Sequence, residues 1–149
     1  MFRGANSISI DLKGRIAVPV RYREDLMNAC GGQMVITADR QDQCLLLYPR
    51  PDWLEVEKKL QQLPTNNRAA RRLQRFMVGH AKEVEMDRQG RMLIPSELRE
   101  LIKLDRTAVL VGQMHRFELW DEQNWNEQWD NDDPDEDFEL PAGFESLTF

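Results

Sequence analysis

The sequence has no apolar run long enough to cross a membrane, few residues of the kind that build redox or metal centres, and no positive charge after Arg116. Its fullest apolar run, Leu45–Tyr48, falls far short of the roughly 18 residues a membrane span requires, so no membrane partner is expected. Met1–Ile10 lacks the apolar core and small-residue cleavage pattern of a secretory leader, which predicts a cytoplasmic protein. Cys30 and Cys44 form neither a disulfide framework nor a C-x-x-C motif, so reduced, buried thiols are expected. His80 and His115 complete no zinc-site spacing. No G-x-S-x-G elbow, P-loop or G-x-G-x-x-G is present. No metal, no cofactor and no enzymatic activity are therefore expected.

What is present is a chain of 149 residues, 41% hydrophobic and 31% charged, the balance of a folded body of one domain or two small ones. Its net charge of −6 hides two regions of opposite sign. Of the 26 acidic residues, 11 lie in 121–149, leaving 15 against all 20 cations before them; the body carries +5 and the terminal stretch −11. A basic body keeps a nucleic-acid partner open despite the acidic total.

An internal repeat organises that body. Asp11-Leu-Lys-Gly-Arg15-Ile-Ala-Val-Pro19 returns as Asp87-Arg-Gln-Gly-Arg91-Met-Leu-Ile-Pro95, and Arg23 and Arg99 continue the match. Tyr48 and Trp53 are echoed by Trp120 and Trp125. Each copy reads as strand, tight turn, strand, short helix and two more strands. Ile8, Ile10, Ile16 and Val18 alternate as in a half-buried hairpin, as do Val84, Met86, Met92 and Ile94. Gly14 and Gly90 stand where such a turn needs positive φ. Pro19 and Pro95 end the ladders, and Ser96 is placed to cap a helix from Glu97 to about Ile102. Further strands are expected near Met34–Ala38, Cys44–Tyr48, Ala108–Gly112 and Phe117–Trp120. A unit of about 50 residues is near the lower limit for an independent core, so the hairpins are expected to interleave into one pseudo-twofold β body.

Between the copies, Pro51 and Asp52 start a helix carrying Trp53, Val56, Leu60 and Leu63 on one side and closing at Pro64. Thr65 or Asn66 is placed to cap a second helix running to Gly79, with Ala69, Leu73, Phe76 and Met77 inward. Arg68, Arg71, Arg72 and Arg75 then align as a basic ridge, open to three readings: a solvated face, a nucleic-acid contact or a subunit interface with acidic partners. The turn motif has two readings as well. An Asp that accepts hydrogen bonds, a Gly that permits the turn and an Arg paired to the Asp are sufficient as architecture. A basic hairpin also fits the major groove, where Arg bonds guanine as a fork and Lys or Arg meets phosphate. The surplus of Arg3, Lys13, Arg15, Arg21 and Arg23 over Asp11, Glu24 and Asp25 is what architecture alone leaves unexplained.

Met1-Phe2-Arg3-Gly4, the paired turn motifs, Leu45–Pro49 followed by Trp53, Val78-Gly79-His80-Ala81, and Val111-Gly112 through Phe117–Trp120 resemble the MraZ family of bacterial transcriptional regulators over about residues 1–125. The resemblance implies an α+β, mainly β fold: two tandem AbrB-like swapped-hairpin units sharing a pseudo-twofold, β-barrel-like core, with helices between them. Divided accordingly, 1–53 is the first unit, 54–80 a helical connection, 81–125 the second unit and 126–149 an acidic, disordered tail. It also implies a ring-shaped homo-oligomer, nucleoid association, and binding to double-stranded DNA at direct repeats in the promoter of the division and cell-wall gene cluster, repressing the operon that encodes it. The family's DNA-contacting motif falls on Asp11, Lys13, Gly14 and Arg15 and on Asp87, Gly90 and Arg91. Arg15 is expected at base or phosphate, Lys13 and Arg3 at the backbone, and Gly14, Asp11, Asp87 and Gly90 in the turns. Gln89 replaces the lysine in the second copy, Arg88 restores one charge beside it, and unequal roles for the two hairpins follow. The acidic tail is expected to be solubilising or to compete with DNA for the hairpins. A protein-interaction scaffold and an AbrB-like antitoxin or global regulator are the alternative functions.

Overall fold

The computed structural model describes residues 1–130, 140–144 and 146–148. Along the chain come β1 (Phe2–Ser9), β2 (Arg15–Ala17), α1 (Val20–Cys30), β3 (Gln33–Ala38), β4 (Leu45–Pro49), α2 (Arg50–Gln61), α3 (Arg68–Gly79), β5 (Lys82–Glu85), β6 (Arg91–Leu93), α4 (Ser96–Leu101), β7 (Thr107–Met114), β8 (Arg116–Asp121) and α5 (Glu122–Asp130). Six strands form one antiparallel sheet in the order β1-β7-β8-β4-β3-β5, and β2 and β6 form a separate ribbon. Exchanging β1 with β5, β3 with β7 and β4 with β8 returns the same order read backwards. The pseudo-twofold therefore passes between β4 and β8, and between β2 and β6.

This symmetry is built by exchange. β1 pairs along its whole length with β7 of the other copy, from Phe2↔Met114 to Ser9↔Thr107, and β5 pairs with β3. The expected hairpins are consequently short. In the first copy one isolated bridge, Ile10↔Ile16, joins the arms before β1 departs to β7 and β2 to β6. Alternation of apolar and polar residues decides which face a strand buries, not which strand lies beside it. Crossed pairing lets two units, each too small for a core of its own, close a single one.

The core has two layers. On one side of the sheet Ile16, Val18, Met92 and Ile94 pack with Leu26 and Leu98 against Ile36, Leu47, Leu110 and Phe117. On the other, Trp53 and half-buried Trp125 pack against Val35, Leu46, Val109 and Trp120. All five residues of β4 are buried between these layers, which is why Leu45–Tyr48 is continuously apolar rather than alternating. The aromatic echo is structural too: Tyr48 and Trp53 have ring centroids 5.5 Å apart, and Trp120 and Trp125 5.7 Å. α5 is thus the second copy's counterpart of α2, and it carries helix to Asp130, into the stretch read from the sequence as tail. Residues 131–139, where that tail is most acidic, lie outside the described residues, so its expected competition with DNA is not addressed by the fold.

Local boundaries shift for identifiable reasons. α2 begins at Arg50, because Pro51 fits within a first helical turn whose N–H groups need no partner. α3 is capped by Asn67, whose side chain accepts the Ala70 N–H at 3.0 Å, not by Thr65 or Asn66; Asn67 N–H donates to Pro64 O, so the intervening residues form a turn. Ala70 rather than Ala69 is the buried alanine. α4 starts at Ser96 with Pro95 in the cap position and no side-chain cap bond.

Candidate nucleic-acid interface

The two turns share one backbone pattern. Gly14 N–H donates to Asp11 O at 3.0 Å and Asp11 N–H to Arg15 O at 3.0 Å; the second copy repeats these from Gly90 to Asp87 at 3.0 Å and Asp87 to Arg91 at 2.8 Å. Gly14 and Gly90 have φ of 87° and 78°, the region that disfavours residues with a Cβ. Asp11 Oδ1 accepts the N–H groups of Lys13 and Arg15, each at 2.9 Å, and Asp87 Oδ1 those of Gln89 and Arg91 at the same distance. The backbone N–H of Arg15 is the main cause holding the Asp11 carboxyl below its ordinary range; the Arg91 N–H does the same for Asp87.

Each turn is clamped by the opposite copy. Val18 N–H donates to Gly90 O at 2.8 Å and Ile94 N–H to Gly14 O at 2.9 Å. Arg23 lies over Gly90 while its Nε donates to Val18 O at 2.8 Å; Arg99 lies over Gly14 and donates to Ile94 O at 3.0 Å. Both glycines are buried beneath these guanidinium groups. Arg23, one of the surplus cations of the first copy, serves here as a brace. Its match with Arg99 in the repeat was the available signal.

The ribbon brings the signature arginines together. Ile16 and Met92 are fully buried and face the core, so Arg15, Ala17, Arg91 and Leu93 face outward. The register Arg15↔Leu93 and Ala17↔Arg91 sets the arginines on a diagonal of one small face. Leu12 and Lys13 stand at one end and Arg88 and Gln89 at the other. Lys13 and Arg88 are exposed with no side-chain partner among the described residues. Leu12 is fully solvent-exposed and Leu93 half-exposed. These apolar neighbours were not singled out from sequence, since nothing in the pattern says which apolar residue the fold leaves outside.

Arg3 is not part of this face. It lies near the start of β1, eight residues before Asp11, and pairs with Gln113 of β7 rather than with the ribbon. Its carbonyl accepts the Tyr22 hydroxyl, and Arg21 bonds Asn6 Oδ1 at 3.0 Å and the Tyr22 hydroxyl at 2.7 Å. On α3, Arg68, Arg71, Arg72 and Arg75 are all exposed, without side-chain partners among the described residues, on a helix whose Phe76 packs against the ribbon-side cluster and whose Met77 packs against the other.

Among the described residues one group could offer three metal ligands: Asp39, Cys44 and Glu118, with ligand atoms within 4.8 Å of one another. Burial foremost, aided by Glu118, Asp39 and Asp42, pushes the Cys44 thiol far above its ordinary range. Burial opposes the charge on Arg116, but the Tyr48 hydroxyl and the Glu118 and Asp39 carboxylates outweigh it. The carboxylates are thus balanced by a half-buried guanidinium beside a protonated thiol, and Glu118 accepts the Trp120 indole N–H at 3.0 Å. Cys30 is half-buried and donates to Leu26 O at 3.2 Å; no cysteine among the described residues is in a disulfide.

A duplicated turn-and-ribbon unit has relatives. The family model described as "MraZ protein, putative antitoxin-like" matches the chain twice, over residues 1–76 and 77–142. The chain belongs to the MraZ family. MraZ relatives include proteins named "Transcriptional regulator MraZ": that of Pseudomonas aeruginosa strain LESB58 is 53% identical over 126 residues, 85% of this chain and 83% of that protein. Those of Pseudomonas putida strain GB-1 and Pseudomonas entomophila strain L48 are 51% identical with the same coverage. The tandem MraZ match agrees with the repeat read from the sequence and with the symmetric sheet. No helix among the described residues is long and apolar enough to cross a membrane.

Proposed function

We propose that this MraZ-family chain is a transcriptional regulator that binds double-stranded DNA sequence-specifically through the outward face of the β2·β6 ribbon. The observation that carries the reading is the placement of Arg15 and Arg91, one from each repeat, on one exposed face with Lys13 and Arg88 at its ends. A two-stranded ribbon of this kind fits the major groove, where a guanidinium fork matches guanine O6 and N7 and flanking cations meet phosphate. Asp11 and Asp87 orient the forks without cancelling the outer cations, and the names carried by MraZ relatives support regulation of transcription.

Arg15 and Arg91 contact base or phosphate, Lys13 and Arg88 contact phosphate, and Gly14 and Gly90 shape the turns. Arg3 reaches the backbone only at a distance from the ribbon or from another subunit. Few phosphate contacts mean weak binding per protomer, since log K falls by about 0.9 per contact per decade of salt. A ring-shaped homo-oligomer facing direct repeats in its own promoter raises the effective concentration of each successive contact. In this reading the protein is nucleoid-associated and represses its own operon in the division and cell-wall gene cluster. The test is a salt-titrated gel shift on the DNA upstream of its gene, comparing the native protein with Arg15→Ala and Arg91→Ala. Loss of the shifted band supports the reading; unchanged occupancy overturns it.

A further inference from the structure

α3 is a strongly charged surface that the ribbon does not use. Arg71 and Arg75 line both an arginine-walled concavity and a groove of about 570 Å³ between α2 and α3, whose apolar residues are Leu60 and Val78. The acidic member of that groove, Glu57, is already engaged by the Trp53 indole N–H at 2.7 Å. A groove apolar within and cationic along its rim fits an acidic helix carrying an aromatic side chain.

The chain itself has such a helix. α5 carries Glu122, Glu127 and Asp130 and no cation, and Trp129 on it is 56% exposed. Its repeat counterpart α2 is flanked by α3, with Gln74 Nε2 donating to Leu60 O at 2.6 Å. α5 has no such flanking helix among the described residues. It packs on β7 and β8, whereas α3 packs on β3 toward the other edge of the sheet.

We propose that the α2–α3 groove of one protomer receives α5 of a second copy, with Trp129 entering between Leu60 and Val78 and with Arg71 and Arg75 facing Glu127 and Asp130. Donor and acceptor surfaces differ, so the contact is head-to-tail and repeats from copy to copy. It rests on the self-assembly invoked above and names the surfaces that produce it.

Charge reversal in pairs tests this on the full chain. Arg71→Glu with Arg75→Glu makes one variant and Glu127→Arg with Asp130→Arg the other; all four side chains are exposed, and circular dichroism checks that each variant is folded. By sedimentation velocity, each variant alone dissociates at concentrations more than about tenfold higher than the native protein, because like charges face one another. Mixing the two in equal amounts restores assembly, because every contact between unlike copies is again between opposite charges. Trp129→Ala weakens assembly without altering its salt dependence. Folded variants that keep the native mass overturn the proposed contact while leaving self-assembly standing, and so does reduced DNA affinity at unchanged mass, which assigns the ridge to phosphate. A native protein that sediments as a monomer overturns both.

Discussion

Turn one, Asp11–Arg15, and turn two, Asp87–Arg91, have matching backbone hydrogen bonds, matching glycine conformations and matching clamps from the opposite copy, yet they present different surfaces. In turn one Arg15 Nε bonds Asp11 Oδ2 at 2.8 Å, Lys13 is exposed with no side-chain partner among the described residues, and Leu12 is bare. In turn two Arg91 Nε stands 3.4 Å from Asp87 Oδ2 without forming a hydrogen bond, its terminal nitrogen bonds Gln89 Oε1, and Arg88 is the cation without a side-chain partner among the described residues. The backbone of the repeat is held by Asp, Gly and the clamping arginines, leaving the two tip positions to vary. The pseudo-twofold ribbon therefore offers a nucleic acid two unlike ends, one mixed apolar and cationic, the other polar and cationic.

The largest effect expected is on DNA affinity. With about 1–3 kcal/mol for each lost arginine fork, Arg15→Ala combined with Arg91→Ala lowers affinity by about thirtyfold or more. Of the single changes, Arg15→Ala is expected to cost more, because Arg91 shares its guanidinium with Gln89. Fluorescence anisotropy at fixed salt measures both, and equal losses would remove the functional distinction between the turns.

Next come the glycines. A Cβ on Gly14 would lie 2.6 Å from the Arg99 guanidinium, and one on Gly90 closer still to Arg23. Gly14→Ala and Gly90→Ala each combine backbone strain of about 1–3 kcal/mol with displacement of a clamp. Urea unfolding should show the greater loss at Gly90; a change within error at either site would show that the clamps tolerate movement.

Gln89→Lys sharpens the comparison by giving turn two the cation of turn one. The plot of log affinity against log salt should steepen by about 0.9, the signature of one added phosphate contact. An unchanged slope would mean that turn two lies off the DNA.

The smallest effect concerns pH. Asp11 and Asp87 have depressed folded-state values, so their contribution is present above the ordinary carboxylate range near 4 and fades as pH falls through the depressed values. Asp11→Asn and Asp87→Asn should each flatten the acid limb of stability below about pH 4. Urea midpoints measured from pH 5 to 2 check this, and an unaltered acid limb would show that the acid sensitivity comes from other carboxylates.

Much of the candidate site was legible because its chemistry is local. The spacing from Asp to Gly to Arg dictates a turn whose carboxylate is within reach of the next N–H groups, and the structure shows those bonds. Arg23 and Arg99 were not legible as clamps, because the glycine each covers belongs to the other copy and is more than sixty residues away in sequence. Arg3 is near the turn cations in sequence, but the pairing of β1 with β7 takes it out of the ribbon. The helical start of the terminal stretch was missed because acidic composition outweighed the meaning of Trp125, whose echo of Trp53 already pointed to a second α2.

From residues alone came the duplicated unit, the turn chemistry, the continuous apolar run of β4 and the opposite charges of body and end, since each depends on neighbours along the chain or on simple summation. Tertiary structure alone decided that β1 pairs with β7 and β5 with β3, and that two distant arginines share one face of the ribbon. Strand alternation and turn geometry are satisfied equally by pairing within a copy or between copies; only closure of a common core, from units too small to enclose one separately, selects the exchange.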